Sequence, residues 1–413
     1  IGNYYRQQLL GNYDSMKYVF NQLFLEGKLK PIEYVDAGQL PKWTHVGIQS
    51  NTQSMYKLKT ETLIKKIENF LDLPLNYKQW AEVAQWICEL KYGIHTTKDH
   101  FDLSTIEHSL KLKFEAWMLK EYQTLSNLPY VNHPVMLHHI PHFLRLQQSK
   151  KKALIVLDGM SFIQWAQIEE YLSQEFHFEV HGTFSWVPTI TSISRQAIFT
   201  GEPPLYYGET LHTTYKEPAS WQLFWEKESI SKLHISYQKG LGQGTYDRDQ
   251  ILALQKSNTK IAGLVIDTID KLMHGSILGH KGMIAAIHVW LQKGYLKQLL
   301  QDLFNAGYDI YITSDHGNQE CTGIGQIQEG VLADSRGTRV RMYNNEYLRD
   351  QAARSISSII WPNIGLPMDR FMLLANTGEA FIKKGEQVVS HGGISLEEVI
   401  VPFVHVTKKR EIQ

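Results

Sequence analysis

Six acidic and imidazole side chains stand at or just beyond the ends of apolar runs: Asp158, Asp270, His274, Asp315, His316 and His391. Carboxylate oxygen and imidazole nitrogen are hard or borderline donors, suited to zinc and also to manganese or magnesium. Asp270 and His274 are four residues apart, which puts both on one side of a helical turn. Asp315 and His316 are adjacent in a glycine-containing turn, where each side chain takes its own direction. His391 precedes two glycines, Gly392 and Gly393, which permit close backbone approach. At a loop end it is expected to add little packing. Asp267 is a rival to Asp270 as the carboxylate of this set. A hydroxyl joins them. In residues 187–201, strand-like residues give way to small hydroxyl residues and then to a helix ending at Gly201. Thr191 falls at or near the start of that helix, where unpaired N–H groups and the helix dipole favour an anion. A threonine there is either a nucleophile or an ordinary helix cap. Singly, each signal is weak, since a lone histidine is more often a packed residue than a ligand. Jointly, they recur at strand ends.

The elements that must position them alternate. Residues 153–157 form a continuous apolar run, as in a strand buried on both faces of a parallel sheet, and end in Asp158. A helix over 162–176 follows, then a strand and loop over 178–190 leading to Thr191. Further strands are expected at 261–266, 308–313 and 399–406, with a long helix over 284–305. This alternation indicates an α/β fold with a parallel sheet, whose ligands bind beyond the carboxyl ends of the strands. Residues 1–149 read as a mostly helical domain and 150–413 as a second domain. Asn76 can cap a helix with Trp80, Val83, Ala84 and Ile87 on one face. Ser104 and Glu107 form a capping-box pattern opening a helix through Leu112, Phe114, Trp117, Met118 and Tyr122. His138, His139 and His142 surround Pro141, which disrupts their helical spacing, and no carboxylate is interleaved; a structural role is expected.

Two segments fit the sheet poorly, 203–258 and 320–376, and read as insertions forming a cap or substrate wall. The first holds Tyr206, Tyr207, Tyr215, Trp221 and Trp225, either a stacking surface for bases or the core of a small cap. The second holds Arg336, Arg339 and Arg341. Lys plus Arg and Asp plus Glu both number 42, so no gross charge drives the chain onto nucleic acid or an anionic membrane. A length of 413 residues fits two or three domains. The two cysteines, Cys88 and Cys321, are far apart and form no disulfide framework, which fits a reducing cytoplasm. Cys321 is expected to be a small structural residue. No apolar run is long enough to span a bilayer, and no signal peptide is visible. A start at Ile1 is that expected of a fragment or a processed chain.

The segment around Thr191 resembles the nucleophile segment of the alkaline phosphatase superfamily, with Thr191 on the nucleophile, Arg195 on the arginine of its sulfatase branch and Thr200–Gly201 on the terminal pair. Threonine argues against a sulfatase, whose formylglycine is made from Cys or Ser. Residues 155–161, 188–195, 266–275, 313–317 and 391–398 make the closest likeness one to PglZ-domain proteins, and the helical amino-terminal region strengthens the likeness to the PglZ component of bacterial BREX phage-defence systems. The resemblance implies an alkaline-phosphatase-like parallel-sheet sandwich with cap insertions. It implies one metal held by Asp158, Asp315 and His316 and touching Thr191, and another held by Asp270, His274 and His391. The Asp-x-x-x-His spacing of the family favours Asp270 over Asp267. It further implies two divalent cations, chiefly zinc, a metal-dependent phosphodiesterase or phosphatase acting on nucleotides, oligonucleotides or DNA, a cytoplasmic setting, and partners among other BREX components. A non-catalytic PglZ scaffold within a BREX complex is the alternative, and a phosphomutase-like activity ranks last.

Overall fold

The central strands form where the sequence is continuously apolar. The computed structural model describes residues 23, 28–29, 52–96, 101–255, 258–275, 278–327 and 338–409. Most of residues 1–51, expected to be helical, and Arg336 lie outside the described residues. The chain divides into two compact units, 1–73 with 93–103, and 74–92 with 104–413. In the first, helix α1 (Thr52–Leu71) buries Leu63 and Ile67.

The second unit holds a six-stranded sheet. Its strands are β1 (Lys152–Leu157), β2 (Phe176–Phe184), β3 (Ile235–Leu241), β4 (Ile261–Ile266) and β5 (Asp309–Thr313), plus a late strand, Ile400–Lys408. Between β5 and that strand lie β6 (Gln319–Gly323), β7 (Val340–Tyr343), β8 (Ile359–Trp361), β9 (Phe371–Leu374), β10 (Glu379–Ala380) and β11 (Gln387–Ser390). They form two small sheets, ordered β10-β6-β11 and β7-β9-β8. The late strand is β12, and the large sheet has the order β2-β12-β5-β1-β4-β3. β1 runs parallel to β4 and β5, and β3 parallel to β4. β1 and β4, interior strands of the sheet, are buried at every residue.

The sheet is mainly, not wholly, parallel. β12 runs antiparallel to both β2 and β5. It enters from the edge where the parallel strands end, so it must run back. A second difference lies at 203–258, which is not all insertion. β3 within it is an edge strand of the large sheet. Edge pairing on one side leaves it half-exposed, without the apolar run that marks a central strand. The expected helix over 284–305 is two, Gly279–Gln292 and Tyr295–Asn305, broken at Gly294, whose φ of 74° suits glycine. The helix after β1 stops at Leu172, and Phe176 opens β2 instead.

The unit with the sheet starts well before the composition change at Lys150. Helix α2 (Tyr77–Thr96) is capped by Asn76, whose Oδ1 accepts from the N–H groups of Lys78 and Gln79. Trp80, Val83, Ala84 and Ile87 are all buried. In α3 (Ser104–Glu121) the buried residues are Ile106, Leu110, Phe114 and Met118, while Leu112 faces solvent. The Trp117 ring lies 5.7 Å from that of Phe184 at the end of β2. Amphipathic helices of this kind gain their stability by covering such apolar surface. Helix α4 (His139–Leu146) accepts Pro141 in its first turn, where the missing N–H has no intrahelical partner to lose, so the proline does not break it. His139 and His142 are bound to the carbonyls of Ser126 and Gly201, and the His138 ring packs at a tilt against Trp186. None of the three joins a metal-type cluster among the described residues.

Candidate active site

The loop from β2 to Thr191 is fixed by hydrogen bonds to Tyr122 and Asp315. The Tyr122 hydroxyl donates to the Ser185 carbonyl at 2.7 Å and accepts from the Val187 N–H at 3.2 Å. Ser185 Oγ donates to the Asp315 carbonyl at 2.9 Å, tying this loop to the end of β5. Helix α5 (Thr191–Thr200) then begins. Its cap position is Ile190, in extended conformation and with no side-chain cap. Thr191 is therefore the first helical residue and not the cap. Its Oγ1 lies 3.0 Å from His316 Nε2 and 3.4 Å from Asp158 Oδ1.

Two clusters sit at the ends of β1, β4 and β5. Asp158, Asp315 and His316 offer ligand atoms that all lie within 4.8 Å of one another, and so do Asp270, His274 and His391. The first cluster is wholly buried; the second grades from buried His391 to exposed His274. Their rings connect them, since His316 and His391 stack with centroids 4.0 Å apart. His391 Nε2 lies 3.9 Å from Asp270 Oδ1, and His274 Nε2 lies 3.3 Å from the same atom. Asp270 sits in the short helix Thr268–His274 after β4. Asp267 instead pairs with Lys271 at 2.7 Å, outside both clusters.

The surroundings prepare these atoms as donors to a cation. His316 Nδ1 is bound to the Gly317 carbonyl at 3.0 Å and His391 Nδ1 to the Thr189 carbonyl at 2.9 Å. Each Nδ1 thus donates to a backbone carbonyl, and Nε2 is left facing the cluster. Burial holds His391 well below the usual histidine range, with His316 adding to the effect, so the ring is neutral. Gly159 and His316 donate their backbone N–H groups to Asp315 Oδ1 at 3.1 Å, yet no hydrogen bond reaches the buried Oδ2. Burial and the adjacent Asp315 carboxylate push Asp158 well above the ordinary carboxylate range, against the pull of Arg195. Burial raises Asp315 likewise. Carboxylates crowded in this way, with the neutral His391 imidazole and an unused oxygen, fit divalent cations such as zinc.

Arg195 is 6% exposed and does not present its contacted nitrogens to an open pocket. Its Nη1 meets Asp158 Oδ2 at 2.5 Å and its Nε meets Glu217 Oε1 at 3.0 Å. His391 is 3% exposed, so the expectation that it packs little is overturned by its stacking and its bond to Thr189. Sequence reasoning missed two residues. Thr189 Oγ1 donates to the Gly393 carbonyl and accepts from the Gly392 N–H, fastening the His391 loop to the Thr191 loop. Glu217 was read as part of a cap. Arg339, read as substrate wall, is fully buried and pairs with Glu398 and the Cys321 sulfur. Cys88 and Cys321 are free and buried. Trp221 and Trp225 are core residues, leaving Tyr206 and Tyr215 as the exposed aromatics of the 203–258 segment.

An α/β domain with acidic and histidine clusters at its strand ends and a threonine at a helix start is alkaline phosphatase-like, the architecture of phosphoester hydrolases. The chain belongs to the PglZ family: residues 135–406 match the BREX system PglZ alkaline phosphatase-like domain. No curated protein matches it. Among solved structures, murine ectonucleotide pyrophosphatase/phosphodiesterase 5 is similar at 13% identity and a TM-score of 0.47, covering 62% of this chain and 88% of that one. Human ectonucleotide pyrophosphatase/phosphodiesterase 5 is similar at 12% identity and a TM-score of 0.43, over 62% of this chain and 88% of that one. Phosphonoacetate hydrolase from Sinorhizobium meliloti 1021, in complex with phosphonoacetate, is similar at 13% identity and a TM-score of 0.40, over 62% and 90%. Among the described residues, no helix is long and apolar enough to cross a membrane.

Proposed function

We propose that this chain is a two-metal phosphodiesterase or phosphatase with Thr191 as its nucleophile. The observation that carries the proposal is the position of Thr191 Oγ1. It opens a ten-residue helix, is not spent on capping it, and faces His316 and Asp158. Asp158, Asp315 and His316 would hold one divalent cation beside Thr191, and Asp270, His274 and His391 the other. Zinc suits these donors best, with manganese and magnesium as alternatives. Bound there, such ions supply Lewis acidity that lowers a hydroxyl pKa and neutralises phosphate charge.

The chain's own part follows from its geometry. The start of α5 directs backbone N–H groups and the positive end of its dipole at an anion, which orients a phosphate against Thr191. Thr191 Oγ1 gives its proton to water and forms a bond to phosphorus as the bond to the leaving oxygen breaks; that oxygen takes a proton from water. A water oxygen then bonds to phosphorus, and the Thr191 oxygen departs and is reprotonated. Arg195 keeps Asp158 in place through Oδ2.

The substrate class proposed is nucleotides, short oligonucleotides or DNA, in line with the phage-defence system for which the family is named. Partners are other BREX components, and the setting is the cytoplasm. The division at residue 149 is proposed as a functional boundary only, since every proposed site residue lies beyond it, while the compact unit that holds the sheet begins at residue 74. The test combines metal analysis with turnover of aryl phosphate monoesters and diesters in Zn²⁺ or Mn²⁺. Two ions per chain and hydrolysis that Thr191→Ala abolishes are expected. No bound metal and no turnover would favour a scaffold.

A further inference from the structure

Glu217 reaches the site from outside every segment that carries its proposed ligands. It is the first residue of the helix Glu217–Lys227, and its side chain is fully buried. Oε1 accepts from Arg195 Nε at 3.0 Å, and Oε2 accepts from the Tyr237 hydroxyl of β3 at 2.5 Å. Arg195 in turn gives Nη1 to Asp158 Oδ2 at 2.5 Å. A guanidinium shared by two carboxylates is thus enclosed where its charged partners are 7% exposed or less.

A guanidinium meeting a lone carboxylate prefers to take both oxygens at once, in a two-pronged fork. Here it takes only one. Asp158 Oδ1 stays clear of Arg195 and faces Thr191 Oγ1 at 3.4 Å and His316 Nε2 at 3.9 Å. We propose that Glu217 is a positioning residue that draws the Nε side of Arg195 away, so that the arginine anchors Asp158 by Oδ2 and leaves Oδ1 free to bind a divalent cation. Tyr237 fixes Glu217 for this task. The segment read from sequence as a cap therefore sets how many oxygens the buried cluster can offer. This rests on the reading that Asp158, Asp315 and His316 hold a divalent cation.

The test is calorimetric titration of the chelator-stripped full chain with Zn²⁺, alongside thermal unfolding. Wild type is expected to bind two ions. Glu217→Gln, which keeps the shape and loses the charge, should bind one ion as before and the other about 10- to 100-fold more weakly, as when a ligand's supporting partner is removed. Adding Arg195→Lys should restore affinity, because an ammonium cannot form the fork. A purely structural Glu217 predicts the opposite, with the double variant no better than the single one. Unchanged affinity in Glu217→Gln, or no rescue, overturns the proposal while the two-metal reading stands. A wild type that binds no ion overturns both. If Glu217→Gln does not fold, Tyr237→Phe must weaken the same ion by a smaller factor, and unchanged affinity there overturns the proposal.

Discussion

At each end of strand β5 an aspartate faces a histidine, Asp309 with His405 of β12 at one and Asp315 with His316 at the other, and the two pairs behave differently. At the amino end, Asp309 Oδ1 meets His405 Nε2 at 2.7 Å, and Oδ2 accepts from the hydroxyls of Ser149 and Tyr311. At the carboxyl end, His316 Nε2 stays 3.8 Å from Asp315 Oδ2 and 3.9 Å from Asp158 Oδ1. Residue types are the same. At the first end every acceptor has its donor, and the group is complete as an ion pair. At the second, the ring proton is turned away to Gly317, and an oxygen is left without one. Distance and proton direction, not composition, separate a structural pair from a donor set for a cation.

The largest test of that distinction is Thr191→Ala. It should lower kcat on an aryl phosphodiester by on the order of 10³-fold or more. Metal content, read by elemental analysis, should stay at the wild-type value; loss of metal with the hydroxyl would mean that Thr191 is chiefly a ligand. Asp315→Asn comes next, and should weaken one ion by at least about 100-fold in a Zn²⁺ titration, as expected when a ligand is lost. Asp309→Asn is its counterpart at the other end and should leave both ions bound. Equal metal loss in the two would end the comparison. His391→Ala should remove the ion of the more exposed cluster and leave the buried cluster loaded. Because the ring is buried, stacked and hydrogen-bonded, unfolding should also become easier by about 1–3 kcal/mol.

The smallest effect belongs to His405. Its bond to Asp309 raises the histidine pKa, while Asp309 is held low by His405, Tyr311 and Ser149 despite burial. The histidine's contribution is complete below about pH 6.5 and is lost as pH rises through its raised value. That of Asp309 is complete above about pH 4 and is lost as pH falls through its lowered value. His405→Gln should therefore cost about 0.5–1 kcal/mol near pH 6 and less in alkali, measured by denaturant unfolding. An equal cost at both pH values would show that charge plays no part there.

The central strands were legible because β1 and β4 are buried on both faces and so carry unbroken apolar runs. β3 was not, since an edge strand pairs on one side and tolerates Ser, Gln and Lys. The candidate ligand residues stood out through their spacing and their place after strands; the structure gathers Asp158, Asp315 and His316, and separately Asp270, His274 and His391. What holds them was not readable. Glu217 lies 22 positions from Arg195 and Thr189 lies 202 from His391, and no local pattern marks such pairs. Burial of Trp221 and Trp225 was one of the two readings their run allowed, but that of Arg339 was hidden, because residue type alone does not say which side of a small sheet is covered.

The position of β12 has a bearing on synthesis. It lies between β2 and β5, yet among the described strands it is made last. Until it emerges from the ribosome, β2 and β5 have a missing neighbour between them and present unpaired backbone edges, a state prone to mispairing. The loop bearing His391 is made only just before it. A nascent or truncated chain ending ahead of Ile400 therefore lacks the strand that closes the sheet, and one ending ahead of His391 also lacks the imidazole that completes the second cluster. Among the described elements, closure of the large sheet and completion of the second cluster thus follow one another directly along the chain.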